Sequence, residues 1–249
     1  MSDYFVPGIA AFLAGILNSI AGGGTFLTFP ALVYAGIPPV AANATSAVAV
    51  FPGYLGAVAG FRRELAALDR ANLVRLIVLS LVGGLVGALL LLVSSNAFFS
   101  LIVPFLLLAA TACFAFQEKI QRWTASSRLA VKPYGATGSV LVAIYGGYFN
   151  GGLGIVLLAL YSLWGMESLN TMNGLKNAVS FIISAISVLT FALAGVVHWP
   201  VAALMMVAAI VGGYAGAWLA RKLSRKTVRG IVIAIGLIMS LVFFGRLVG

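Results

Sequence analysis

The chain has 249 residues, of which 62% are hydrophobic and 8% charged, and its mean hydropathy of +1.13 excludes an ordinary soluble domain. Its formal net charge of +10 would suit a nucleic-acid footprint in a soluble protein, but here the basic residues cluster between apolar segments. Membrane topology accounts for that pattern, so nucleic acid is not an expected partner.

The opening stretch MSDYFVPGIAAFLAGILNSI carries no Lys or Arg ahead of its apolar run and no distinct small-residue cleavage site, so it reads as a retained segment rather than a signal peptide. The apolar segment at 4–35 is interrupted by AGGG at 21–24. A glycine inside a helix costs about 1 kcal/mol relative to alanine. Unwound backbone at membrane depth is tolerated only where it is buried in protein or lines a water-filled cavity. Spans of full membrane length follow near 39–60, 72–93 and 97–116. A basic stretch at 117–132 reads as a cytoplasmic linker. The segment at 133–165 is interrupted in turn by NGGLG at 150–154, and further spans follow near 171–194, 200–220 and 230–248. After each break the apolar run, Phe26 to Ala35 or Ile155 to Trp164, is about 15 Å long as a helix, half a bilayer. Each interrupted segment therefore reads as a re-entrant hairpin.

Apart from Lys176 and Arg246, every Lys and Arg falls in or beside the connections around 62–75, 119–132 and 221–229, whereas 36–38, 94–96 and 195–199 carry none. The basic connections are thus cytoplasmic. Counting crossings from them puts both termini outside, in a multi-pass protein of the inner (plasma) membrane.

An internal repeat runs through the same segments. VGGLVGALL at 82–90 matches VGGYAGAWL at 211–219, and Gly22-Gly23 matches Gly151-Gly152, both at a spacing of 129; NATSAVAV at 43–50 meets NGLKNAVS at 173–180 at a spacing of 130. The expected fold is therefore an all-α polytopic membrane protein of two repeats, 1–116 and 133–249, joined by the linker. Each repeat is a broken-helix hairpin plus an odd number of crossings, so the two have inverted topology, as in many secondary transporters. The paired glycines Gly83, Gly84, Gly87 and Gly212, Gly213, Gly216 read as small-residue helix packing.

The stretch GILNSIAGGGTFLTFPALVYAGIPPVAANATS, from Gly15 to Ser46, resembles the first-repeat signature of the TauE/SafE family of sulfite and organosulfonate exporters. GGYFNGGLG and LNTMNGLKNAVS in the second half are similar to its counterpart. The chain departs from the family's common pattern at Asn18, where relatives often carry an acid, and at Thr25, where many carry a further glycine. The resemblance implies a carrier that moves small sulfur-containing or carboxylate anions out of the cytoplasm.

The residues support an anionic ligand independently. Half-helices beginning near Gly24-Thr25 and Leu153-Gly154 would aim free N–H groups and positive dipole ends at a shared cavity. The candidate substrate-binding set is Asn18, Ser19, Gly22, Gly23, Gly24 and Thr25 at the first break, with Asn43, Thr45 and Ser46 beside it. Asn150, Gly151 and Gly152 form the second break, with Asn173, Lys176 and Asn177 beside it. An intramembrane lysine is a functional candidate by default, although its stem is also long enough to snorkel to the cytoplasmic interface. Asn43 and Asn173 equally suit interhelical hydrogen bonding.

The acids Asp3, Glu64, Asp69, Glu118 and Glu167 all map to ends or loops, which leaves no intramembrane carboxylate for a proton relay or an acidic sodium site. His198 reads as an interfacial residue, and Cys113 as a small buried hydrophobe. No cluster suits a metal, a cofactor or an enzyme. The expected partners are a small inorganic or organic anion and membrane lipid, with self-association into a homo-oligomer left open. An anion-selective channel, with the same opposed helix ends lining a pore, is the alternative to a carrier.

Overall fold

The computed structural model describes residues 2–20, 23–116, 119, 122–123, 132–219 and 225–248, so most of the stretch expected as a linker at 117–132 lies outside the described residues. The described residues are helical, with no strand among them. In chain order the helices are α1 (Ser2–Ile20), α2 (Thr25–Tyr34), α3 (Pro39–Gly60), the short α4 (Arg62–Ala66), α5 (Arg70–Val93) and α6 (Asn96–Ala115). After the linker come α7 (Ala136–Tyr148), α8 (Leu153–Leu163), α9 (Leu169–Leu193), α10 (Trp199–Leu219) and α11 (Arg225–Val248).

Hydropathy fixes which faces look outward. Arg70–Val93 and Asn170–Leu193 are long and apolar enough to cross a membrane. On α5 the side chains Val74, Val78, Leu85, Leu89 and Val93 are exposed, a surface that water would penalise and hydrocarbon would not. α3 is the opposite case. Every residue from 42 to 50 is buried, as expected of a helix packed on all sides at the centre of a bundle. Proline at the start of α3 costs nothing, because the first-turn N–H groups have no intrahelical partner.

Helix pairing is dominated by glycine. α1 lies along α10, and α5 along α7. A Cβ on Gly15 would strike the backbone at Ala209 and Gly213, and one on Gly212 would strike Phe12. Likewise Gly87 rests on the backbone of Ile144 and Tyr148, and Gly83 on Val140 and Ala143. The repeated glycine motifs thus seat two helices at backbone contact. Exchanging α1 with α7, α3 with α9 and α5 with α10 maps the α1–α10 contact onto α7–α5, and α3–α10 onto α9–α5, both of which exist.

Local hydrogen bonds gather the uncharged connections at one end of the bundle. Val40 N–H donates to Asn96 Oδ1 at 3.0 Å, and His198 N–H donates to Thr45 Oγ1 at 3.1 Å, so side chains from α6 and α3 satisfy the starts of α3 and α10. A Cβ built on Gly8, near the start of α1, would stand 3.7 Å from Leu204, close to the same connections, and α2 also ends there, at Tyr34. The second hairpin closes on itself elsewhere: Tyr134 before α7 packs on Trp164 after α8, with ring centroids 5.0 Å apart. Beside it Arg75, Lys132 and the start of α7 line a cavity of about 340 Å³. Burial pushes the Tyr134 phenol above its ordinary range, and the nearby Asp69 carboxylate adds to the shift.

Candidate functional site

Both glycine breaks are chain reversals between antiparallel helices. At the first, Gly23 has φ +100°, and at the second Gly152 has φ +73°, conformations that cost little only without a Cβ. α2 and α8 therefore begin where the sequence places them, at Thr25 and Leu153.

At the first break the leading amide of the described residues before α2 is taken by a side chain. Gly24 N–H donates to Asn18 Oδ1 at 2.7 Å, so the side chain of α1 caps the start of α2. This differs from the expectation of free amide donors there: an asparagine one turn back from the reversal reaches the first of them. Gly24 must be glycine, because a Cβ would lie 2.7 Å from the Ala14 carbonyl oxygen. Thr28, one turn into α2, shares a hydroxyl hydrogen bond of 2.6 Å with Ser46 of α3. Thr25 is buried at the same end of α2. Gly22 and the Ser19 side chain lie outside the described residues.

The second break is built from more distant parts of the chain. Asn150 adopts φ +56°, Gly151 N–H donates to Phe149 O at 2.7 Å, and the Tyr145 hydroxyl donates to the Gly151 carbonyl, tying the loop to α7. Asn43 of α3 reaches across and donates through Nδ2 to Tyr148 O at 2.9 Å. Asn150 donates through its own Nδ2 to Ser184 Oγ of α9 at 3.3 Å.

Lys176 lies over the first turn of α8. Its stem passes so close to Gly154 that a Cβ there would stand 3.2 Å from Cδ, and its Nζ donates to Asn173 Oδ1 at 3.2 Å. Among the described residues the ammonium has no carboxylate partner. Asn177, half-buried, follows it on α9. A cation and the N-terminal end of a helix thus sit together.

The breaks also touch one another. Gly152 is within 3.6 Å, for a Cβ built on it, of the Phe26 ring in the first turn of α2, and 2.8 Å from Ala110 of α6. One turn on, Phe29 meets Phe149 edge-on with centroids 5.9 Å apart. Of the candidate residues, Asn43, Asn150, Gly151 and Gly152 come together, Asn173 and Lys176 form a second group on α9 against Gly154 of α8, and Asn18 with Gly24 a third. Thr45 is drawn away to the His198 connection.

Thr28, Tyr145 and Ser184 belong to the same surroundings but do not stand out in the sequence. For Ser184 a signal existed: Lys176, Ser180 and Ser184 follow at one-turn intervals along α9, a polar stripe in an apolar helix.

A family model described as sulfite exporter TauE/SafE matches residues 8–243. A probable membrane transporter protein of Haemophilus influenzae is 29% identical over 236 residues, covering 92% of this chain and 89% of its own. Its counterpart in Escherichia coli K12 is 30% identical over 234 residues, covering 92% and 85%. A probable membrane transporter protein of Sinorhizobium sp. is 27% identical over 237 residues, covering 94% and 89%. No solved structure matches the chain.

Proposed function

The chain belongs to the sulfite exporter TauE/SafE family, and on that premise we propose that it exports a small anion from the cytoplasm, held between the two glycine breaks. Membership makes it a membrane transporter of this type. The proposed cargo is sulfite, thiosulfate, an organosulfonate such as sulfoacetate, or a related carboxylate. One observation carries the reading: the Lys176 ammonium, bonded to the neutral Asn173 Oδ1 and without a carboxylate partner among the described residues, lies beside Gly154 at the positive end of α8. An anion placed there gains a charge-assisted hydrogen bond and the amides of a helix start.

The proposed architecture is two inverted repeats, 1–116 and 133–249, whose hairpins enter from opposite sides of the inner membrane. Supporting it are the exchange of helix contacts between halves, the first hairpin opening toward the uncharged connections, and the second opening beside Arg75 and Lys132. Both termini are then extracytoplasmic, and a reporter fused at Gly249 is active only outside the cytoplasm. A cytoplasmic signal overturns the inversion.

The test of cargo is thermal stabilisation of the purified protein by the anion panel, followed by efflux from proteoliposomes. Stabilisation scales with ligand concentration over Kd, so millimolar anion reveals even weak binding. Saturable flux with counterflow supports the carrier. No stabilisation and no flux by any of the anions overturns it, and conductance of many ions per opening makes the protein a channel instead.

A further inference from the structure

The second break has a side that no anion would choose. Asn43 and Asn150 are 2% and 6% exposed, and the Oδ1 of each lacks a hydrogen-bond partner among the described residues. Each amide nitrogen has a partner, and for Asn43 that partner is a carbonyl, which can only accept and so fixes which way the carboxamide lies. Asn43 Nδ2 is held by the Tyr148 carbonyl, and Asn150 Nδ2 faces Ser184 Oγ, with the Tyr54 hydroxyl beside the same carboxamide. Asn43 Oδ1 therefore points away from that carbonyl with its lone pairs unspent, and Asn150 Oδ1 lies on the side of its carboxamide away from Ser184. A buried, unpaired acceptor is costly, and it calls for a donor or a cation. The two carboxamides attend the same reversal, since Tyr148 and Asn150 are separated by no more than about 7 Å of chain.

The backbone adds to the demand. Tyr148 is the last residue of α7, so the negative end of that helix dipole lies at this reversal. A third orphan, the buried Ser180 Oγ, lies one turn from Ser184 on α9. Where helices are interrupted in the membrane, C-terminal ends and neutral oxygens suit small cations, while N-terminal ends suit anions. Here the break divides in that way. α8 presents its positive end to Lys176, and α7 presents its negative end to Asn43 and Asn150.

We propose that the C-terminal end of α7 binds a monovalent cation of sodium's size, with Asn43 Oδ1 and Asn150 Oδ1 as ligands and Ser180 on its approach from α9. Neutral oxygens without a carboxylate, imidazole or thiolate suit a hard monovalent ion rather than calcium or zinc. An acidic residue is not required. The proposal is independent of the identity of the anion. A cation here would stand near the anion proposed at Gly154, so each would raise the affinity of the other and transport would become sodium-dependent.

The experiment is a thermal titration of the full-length purified protein with sodium chloride, replaced by N-methylglucamine chloride so that chloride and ionic strength stay constant. Holding chloride fixed keeps this result separate from failure of the anion reading. The expected result is a saturable rise of a few degrees with sodium and a smaller one with potassium. Asn150→Asp replaces the Nδ2 donor by an acceptor to which the Ser184 hydroxyl can turn and donate, and it adds charge, so its half-maximal sodium concentration falls at least about tenfold. Asn150→Ala abolishes the response. A flat sodium titration of the unaltered protein, or equal responses to sodium and N-methylglucamine, overturns the proposal and leaves the two oxygens to water. So does an Asn150→Asp variant with unchanged sodium sensitivity.

Discussion

The two glycine breaks share a backbone plan and differ in chemistry. Both reverse the chain through a glycine of positive φ and start a short helix after it, yet the first satisfies its leading amide with Asn18, and the second leaves its helix start to Lys176. The first break is neutral, and the polar groups seen around it bond one another, as Thr28 does with Ser46. The second carries a cation and orphan oxygens, and it borrows Asn43 from the other half of the chain. Repeated sequence thus reproduces a scaffold, while divergence at a few polar positions separates a neutral break from the one proposed to hold ions.

The most drastic way to break the comparison is at the backbone. Gly152→Val combines a strained φ with a Cβ placed 2.8 Å from Ala110, and strain of this kind costs about 1–3 kcal/mol before the clash is counted. Loss of monodisperse protein in detergent chromatography is the expected outcome; Gly24→Val fails similarly, against the Ala14 carbonyl. Equal failure marks the shared plan, and tolerance of valine at either position contradicts it.

Lys176→Ala separates the breaks by charge. Loss of one charge-assisted hydrogen bond, about 1.5–3 kcal/mol, lowers anion affinity roughly 10- to 100-fold with the fold intact, and Lys176→Arg retains part of it. Unchanged affinity in a thermal or isothermal titration would return the lysine to a snorkelling role.

Asn18 sharpens the contrast from the other side. Asn18→Ala removes a cap and costs about 1 kcal/mol of stability while exposing the Gly24 amide, so anion affinity holds or rises. Asn18→Asp keeps the cap but sets a negative charge at the helix start, and anion affinity falls. If both variants weaken binding alike, Asn18 contacts the anion directly. The smallest effect belongs to Thr28→Val, which removes one neutral hydroxyl pair and costs about 1 kcal/mol in thermal stability without altering anion affinity.

Much of the outline was legible before any coordinates. Apolar runs located the helices, and glycine clusters located both reversals close to where α2 and α8 begin, because few residues other than glycine turn a chain that tightly in an apolar setting. The glycine pairs at 83–84 and 212–213 were readable as packing for a similar reason: only small residues allow two helix backbones to touch. Polar partners were less legible. Asn43 and Tyr148 are 105 residues apart, and Thr45 and His198 are 153 apart, and no local pattern links them.

By itself, the sequence determined that this is a helical membrane protein with two interrupted segments and an isolated lysine, because hydropathy, helix length and backbone freedom are properties of the local chain. Only the tertiary structure decided that Asn18 closes the first helix start, that Lys176 lies on Gly154, and that Asn43 and Asn150 leave their oxygens unpaired at one reversal. Hydrogen bonds are short and directional, so which polar groups are spent and which remain for an ion depends on distances of a few ångströms set by the packing of whole helices.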